Sequence, residues 1–434
     1  MRLPEDCGET MLVIGAGPLG LGCAKALAEA GVAYVQAEAT DHVGGNWAHG
    51  VYETAHIISS RKTTEFPDWP MPADYPDFPS RAQMEAYYNA FADEFALRDR
   101  IVFDHPVTSV RPRADDRWDV TFEGADGAPE ERVFKGVLVC NGHHWDKVLP
   151  PWTADYAGEV LHSKDYKRPE QLADKRVLVL GGGNSGCDIA SEAARVGAEC
   201  DWSLRRGYHF QPKTILGRPS VELLNPYTPL VVQRFFAWLL RRIAIGRYAD
   251  YGLPEPDHKL YEAHPTVNSE VFHYLKHGRI TPRPDVVDVR DRTVVFGDGT
   301  EAQYDLVVCA TGYRVSFPFL EDGLLEVVGK TAQTVGGCLL PGRRHLYIVG
   351  TSQVRYGIGP LVRPYAVLIA DWIGLQDGME LPLADVLVAM GAKPPTTHLV
   401  DPHSALRQLK LATLARGRFV KKERRMRGAS GGPR

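Results

Sequence analysis

Several features are scarce in this sequence, and each absence removes a class of function. The seven cysteines stand singly, at Cys7, Cys23, Cys140, Cys187, Cys200, Cys309 and Cys338, without one Cys-x-x-Cys pair. A disulfide reductase built on pyridine nucleotide needs such a pair, and a disulfide-stapled secreted domain needs ordered spacings. No signal-peptide pattern opens the chain, so the thiols read as reduced core residues of a cytoplasmic protein. The net charge is only -4 over 434 residues, which gives no argument for nucleic acid as a partner. No apolar run reaches the length of a membrane span. The nearest, 229–245, is broken by Arg234, Arg241 and Arg242. It predicts an amphipathic helix with one buried face, a membrane-surface helix being the second reading. No metal cluster is expected either, since the adjacent His143 and His144 lack further ligands at a suitable spacing.

Glycine, by contrast, is concentrated where it carries meaning. Gly15-Ala16-Gly17-Pro18-Leu19-Gly20 follows the apolar run 11–14 and opens an Ala-rich helical stretch. Gly15 suits the tight turn, Gly17 the approach of a pyrophosphate, and Gly20 close helix–strand packing. Glu38 closes the next strand at the spacing of an acid that bonds ribose hydroxyls. A carboxylate there repels a 2′-phosphate, so this seat suits FAD or NAD. A second fingerprint, Gly181-Gly182-Gly183-Asn184-Ser185-Gly186, follows the run 176–180. Its next strand ends in Leu204-Arg205-Arg206 instead of an acid, and guanidinium at that place marks NADP. Asn184, Ser185 and Asp188 stand where they can bond the nucleotide or cap the helix.

These units, 12–38 and 176–206, repeat one βαβ design and predict an α/β fold with two Rossmann-like domains, the NADPH domain inserted into the FAD domain. The expected boundaries are 1–168 for the first part of the FAD domain and 169–301 for the NADPH domain, with a helical or loop insertion at about 211–272. The FAD domain then resumes over 302–415, with Val107 and Thr311-Gly312 among its cofactor residues. The insertion covers a substrate cavity or packs a subunit interface. The basic, Gly-containing stretch 416–434 predicts a disordered tail. A helix is expected near 82–95 from its apolar spacing.

Between the fingerprints stands Tyr156-Ala157-Gly158-Glu159-Val160-Leu161-His162-Ser163-Lys164-Asp165-Tyr166. It resembles the F-x-G-x-x-x-H-x-x-x-[FY] signature of the flavin-containing monooxygenases, a family of class B flavoprotein monooxygenases, with Tyr156 in place of Phe. Gly44-Gly45-Asn46-Trp47, Asp68-Trp69-Pro70-Met71-Pro72, His264-Pro265-Thr266-Val267-Asn268 and Ala310-Thr311-Gly312-Tyr313 are similar to further motifs of that family. The Baeyer–Villiger relatives usually carry Trp where Tyr166 stands.

The resemblance implies an FAD-dependent oxidoreductase that takes hydride from NADPH and reacts with O₂. A C4a-hydroperoxyflavin then oxygenates a nitrogen or sulfur of a small molecule. Baeyer–Villiger oxygenation of a ketone is the nearest alternative, and an NADPH oxidase or redox sensor without a coupled substrate is another. The family's active-site Asn has no counterpart in Ile57-Ile58-Ser59-Ser60-Arg61-Lys62, where Ser59 or Ser60 would supply a hydroxyl. Tyr313 is the third residue assigned to catalysis. Arg355 and Arg363, near Gly357-Ile358-Gly359, suggest an anionic substrate, with salt bridges or a subunit contact as the plainer explanation. His162 is read as structural, orienting the two domains. A homodimer is the default assembly.

Overall fold

The computed structural model describes residues 3–124, 127–223 and 230–430. The first unit runs β1 (Met11–Ile14), α1 (Pro18–Glu29), β2 (Tyr34–Ala37), α2 (Arg81–Glu94), β3 (Ile101–Val102) and β4 (Gly136–Val139). The second runs β5 (Glu159–His162), β6 (Arg176–Leu180), α3 (Asn184–Val196), β7 (Glu199–Ser203), α4 (Leu230–Ala244), β8 (Thr281–Arg283) and β9 (Leu306–Cys309). The chain then returns through β10 (Leu346–Ile348) to α5 (Gly359–Asp377), α6 (Pro402–Leu414) and α7 (Arg416–Ser430).

Two parallel sheets result, in the orders β10-β4-β1-β2-β3 and β8-β7-β6-β9-β5. Each is covered on both faces, which is why β1 is apolar throughout and β6 from Val177 onward. Met11 and Val13 of β1 face the core shared with α1 and α5, while Leu12 and Ile14 face the opposite core. Val177 and Val179 of β6 divide from Leu178 and Leu180 in the same way. Each such side chain contributes about 1.5–3 kcal/mol by leaving water.

Three expectations need correction. Strands β5 and β9 pair in the second sheet, so that unit extends past 169–301 on both sides and takes in the signature linker and the start of Ala310-Thr311-Gly312-Tyr313. The stretch 416–430 is no loose tail: α7 buries Phe419 and Glu423. Its amphipathic spacing every three to four residues was hidden by the arginines around it. Residues 431–434 lie outside the described ones. The helix expected over 229–245 is present as α4, yet its buried side chains are Gln233, Ala237 and Arg241, and Pro229 lies outside the described residues. Its apolar residues face outward, the reverse of the expected orientation. Among the described residues no helix is long and apolar enough to cross a membrane.

Candidate functional site

The two glycine turns share one construction. Gly15 sits at φ +98°, and a Cβ there would lie 2.8 Å from the Cys140 carbonyl oxygen. Gly181 repeats this at φ +101°, with the Ala310 carbonyl oxygen at 2.6 Å. Gly20 and Gly186 each pass within 2.0 Å, at the Cβ position, of the oxygen of the turn's first glycine. No side chain larger than hydrogen fits at either place. Helices α1 and α3 begin at Gly17 and Gly183 with no side-chain cap. Their first N–H groups and the positive end of the helix dipole are therefore left for an anion, as a pyrophosphate requires. Pro18 and Leu19 form the first turn of α1.

At the acceptor end of the first unit, Glu38 is buried and accepts hydrogen bonds from Ala16 N–H at 2.6 Å and Thr40 N–H at 3.0 Å. His105 N–H donates to the Glu38 carbonyl at 3.0 Å, which brings the chain to this end two residues before Val107. Gly45, at φ +58°, lies against Gly17, so the Gly45-Asn46-Trp47 turn crosses the first glycine turn. Asn46 Nδ2 donates to the His144 carbonyl at 2.9 Å. The segment that follows β4 therefore closes the same groove. In it, Asn141 Oδ1, His143 Nε2 and Trp145 Nε1 are buried without a hydrogen-bond partner. Unpaired buried polar atoms are costly. Three beside an uncapped helix N-terminus fit a polar cofactor lying over the turn.

The acceptor end of the second unit is cationic. Arg205 and Arg206 are exposed, and the Arg206 guanidinium lies 5.6 Å from the Tyr208 ring, which packs on Gly182. Lys330, on a hairpin joining Val327–Val328 to Thr331–Ala332, places Nζ 3.8 Å from the Cβ position of Gly312. Burial, and after it the Arg206 charge, lower its pKa. Among the described residues, none of these three cations forms an ion pair. Lys330 escaped the sequence reading because it stands in no motif. Only the topology brings it to the second fingerprint.

Asn184 and Asp188 have other partners. Asn184 Oδ1 accepts the Val267 N–H at 2.8 Å. Asp188 accepts from Tyr52 Oη at 2.7 Å and Asn268 Nδ2 at 2.9 Å, and burial raises its pKa. One turn on, Glu192 binds the hydroxyls of Thr54 and Tyr166, and burial raises its pKa too. Helix α3 thus ties the segment around Tyr52 and the last residue of the linker signature to the second unit. Asp188 serves this bridge instead of facing a nucleotide. Thr311 and Gly312, assigned to FAD from the sequence, leave the end of β9 in the second sheet, and Thr311 Oγ1 donates to the Val148 carbonyl.

The residues assigned to catalysis are not brought together as a set. Ser60 is fully buried and caps the short helix Arg61–Thr64 with Thr63, and Ser59 Oγ is 2.7 Å from Thr64 Oγ1. Tyr313 packs on His162, ring centroids 5.1 Å apart. The two arginines also separate. Arg355 pairs with Asp401 and lies 5.2 Å from the Tyr261 ring. Arg363 pairs with Glu29 and Asp68, a cluster completed by buried Lys25. Each positive charge is matched, which removes the basis for an anionic substrate.

Against α4 lies a cavity of about 300 Å³. Its wall includes the large apolar and aromatic side chains of Ile215, Val221, Phe236, Leu240, Tyr261 and Tyr356, with Arg355 also lining it. Val267 connects it to α3 of the second unit through Asn184. Gly357, next after Tyr356, packs on Thr63, its Cβ position 2.2 Å from the Thr63 oxygen, which connects the cavity to the first unit.

The profile of a family described as flavin-binding monooxygenase-like matches residues 8–342. Flavin-containing monooxygenase 5 of Oryctolagus cuniculus is 34% identical over 354 residues, 75% of this chain and 66% of that protein. The chain thus spans slightly under two thirds of the length of this relative. Among solved structures, S-allyl-L-cysteine S-oxygenase from Allium sativum superposes with a TM-score of 0.65 at 20% identity, covering 94% of this chain and 88% of its own. A closed form of cyclohexanone monooxygenase gives 0.72 at 17% identity, covering 94% and 97%. At these identities the two structures speak for the fold.

Proposed function

The chain belongs to the flavin-binding monooxygenase-like family, and from that premise we propose that it consumes NADPH and O₂ in the FAD-dependent oxygenation of a neutral, soft nucleophile, a sulfide or an amine. One observation carries this reading: the chain holds two dinucleotide seats of opposite charge logic, and Val267, on the wall of a largely apolar cavity, is bonded to Asn184 of the second. Gly15, Gly17, Gly20, Glu38, Gly45, Asn46 and Trp47 would hold FAD. Gly181, Gly183, Ser185, Gly186, Arg205 and Arg206 would hold NADPH, with Lys330 as a further cation.

When bound, the flavin accepts hydride from the nicotinamide and activates oxygen. The protein's own residues do the rest. Glu38, held by Ala16 and Thr40, would accept from ribose hydroxyls with its remaining lone pairs and turn away a 2′-phosphate by charge. Arg205, Arg206 and Lys330 select that phosphate. The apolar wall from Ile215 to Tyr356 excludes water and leaves a charged substrate without a counter-ion, so neutral nucleophiles are favoured. His162 is held as a neutral imidazole that orients the linker, and it moves no proton in this scheme.

A second reading rests on Ser59 and Ser60, whose hydroxyls are engaged within their own segment. Neither serine hydroxyl is left free to replace the family's Asn there, which favours an NADPH oxidase that releases peroxide. One experiment separates the two: NADPH consumption measured with sulfides, amines, ketones and amino acids, with peroxide titrated in parallel. Stimulation by a sulfide or amine with less than stoichiometric peroxide supports the oxygenase. Stoichiometric peroxide with every compound supports the oxidase, and a response confined to ketones or to charged amino acids overturns the substrate class.

A further inference from the structure

The loop that leaves β2 brings three ligand-bearing side chains together at the surface. Asp41 and His42 follow Thr40, and His49 stands in the single helical turn Asn46–Gly50. One carboxylate oxygen is their meeting point: His42 Nδ1 bonds Asp41 Oδ1, and His49 Nε2 lies 3.7 Å from the same atom. The two imidazole rings meet edge to face, centroids 4.2 Å apart. One donor atom from each residue, two nitrogens and an oxygen, falls within 4.8 Å of the others. The backbone beneath them is fixed. Gly44 N–H donates to the Ala16 carbonyl at 3.0 Å, Arg81 to the Trp47 carbonyl at 3.1 Å and Lys167 to the His49 carbonyl at 2.8 Å. The side chains of Asp41, His42 and His49 are 64%, 42% and 45% exposed, so they are free to turn.

An ion pair accounts for only one of the two imidazoles. The His49 ring stands beyond hydrogen-bonding distance of Asp41 and makes no hydrogen bond among the described residues. A neutral imidazole offers one nitrogen lone pair, and a carboxylate offers several. Two imidazoles and a carboxylate are a donor set for zinc-class divalent ions, whereas magnesium and calcium take oxygen ligands. A tetrahedral ion about 2.0–2.2 Å from each donor sets them about 3.3–3.6 Å apart. Exposed side chains on a fixed backbone reach that spacing by small rotations. The fourth position stays open to water.

We propose that Asp41, His42 and His49 bind one zinc-class divalent ion, which clasps the two ends of the segment carrying Gly45, Asn46 and Trp47. That segment lies against the first glycine turn, so an ion holding its ends together slows the escape of FAD. The clasp rests on the assignment of Gly45, Asn46 and Trp47 to FAD; the metal site itself does not.

The test is equilibrium dialysis of Zn²⁺ against the flavin-loaded protein, with excess Mg²⁺ present. One equivalent per chain should saturate below about 0.1 mM free Zn²⁺, undisturbed by the Mg²⁺. H42Q and H49Q should each weaken that equivalent at least about tenfold, and D41N should weaken it with both imidazoles intact. Flavin content measured before Zn²⁺ is added reports that the variants are folded. H273Q/H277Q removes another pair of histidines in contact, ring centroids 4.2 Å apart, and should keep the equivalent. Zn²⁺ should also slow FAD loss on dilution of the parent several-fold and leave that of H49Q unchanged. No saturable equivalent, displacement by Mg²⁺, full retention in H42Q, H49Q or D41N, or loss in H273Q/H277Q overturns the site. An equivalent bound as expected, with FAD loss unchanged or slowed equally in H49Q, overturns the clasp alone.

Discussion

His162 donates its Nε2–H to the Gly312 carbonyl at 3.1 Å, while its Nδ1 accepts the Lys164 N–H at 3.1 Å. One ring nitrogen must carry hydrogen and the other must not, so the pair selects a single neutral tautomer. Burial lowers the pKa of the ring and favours the same form. The histidine of the linker signature is thereby a clamp between β5 and the turn that follows β9. Replacing it by alanine leaves the Lys164 N–H without its partner and the Gly312 carbonyl with only the Val148 N–H, a cost of about 1–3 kcal/mol. H162A should lower the thermal midpoint by several degrees, and H162Q, with an amide donor, should recover part of the loss. A proton shuttle predicts otherwise: H162Q would keep the midpoint and lose kcat.

The cationic end of the second unit makes a quantitative prediction about nucleotide choice. Arg206 and Lys330 approach the second glycine turn from different strands and neither has an ion-pair partner among the described residues. Charge-assisted bonds to a phosphate contribute about 1.5–3 kcal/mol each, a factor of about 10–100 in affinity. R206S and K330M should each weaken NADP⁺ binding by about that factor in equilibrium dialysis and leave NAD⁺ within about twofold. Equal loss of both nucleotides would place the lysine at the shared pyrophosphate instead. No change in either variant would remove the second fingerprint from NADP altogether.

Acid should unfold this protein through its buried imidazoles. His345 is 6% exposed and burial holds it down to about 4, despite Asp377 at 3.2 Å; His143 is likewise pushed down to about 4. The folded pKa lies below the unfolded value of about 6.5. Between those values the unfolded chain binds more protons, so stability rises with pH. The contribution is complete above about 6.5 and is lost as pH falls through about 4. Urea midpoints should therefore be flat near neutrality and decline from about pH 6 downward. H345Q should flatten part of that slope. An unchanged slope in the variant would assign acid lability to other groups.

Much of the cofactor geometry was legible in the chain because it is local. A glycine turn, the strand before it and the charge that closes the next strand all lie within about thirty residues, and each obeys a steric or charge rule that needs no partner. What escaped was set by partners far away in sequence. Nothing local in Leu306–Cys309 says that it pairs with Arg176–Leu180 and Glu159–His162 rather than with the first sheet. Lys330 gains its meaning only from Gly312 and Arg206. The apolar pattern of α4 was visible, but periodicity reports that a face exists and is silent on which way it turns.

The C-terminal helix shows the same limit and offers a direct measurement. Composition favoured disorder, because α7 has seven Lys or Arg between 416 and 430 and few large apolar residues. Two side chains outweigh that. Phe419 is 4% exposed and joins the core near α5, and Glu423, 3% exposed, accepts the Glu380 N–H at 3.0 Å. Arg427 pairs with Glu380 and Arg416 with Asp371 at the surface, where such pairs contribute little. The buried ring contributes about 1.5–3 kcal/mol and the bond to the carboxylate a similar amount. Truncation after Ala415 should therefore cost on the order of 3–5 kcal/mol, read as a lower urea midpoint, and F419A alone should reproduce about half of it. Mutating the exposed Arg424 and Arg425 to Gln should move the midpoint by less than about 0.5 kcal/mol. A truncated chain with the parent's midpoint would mean that α7 is undocked in solution, and the composition would have been the better guide.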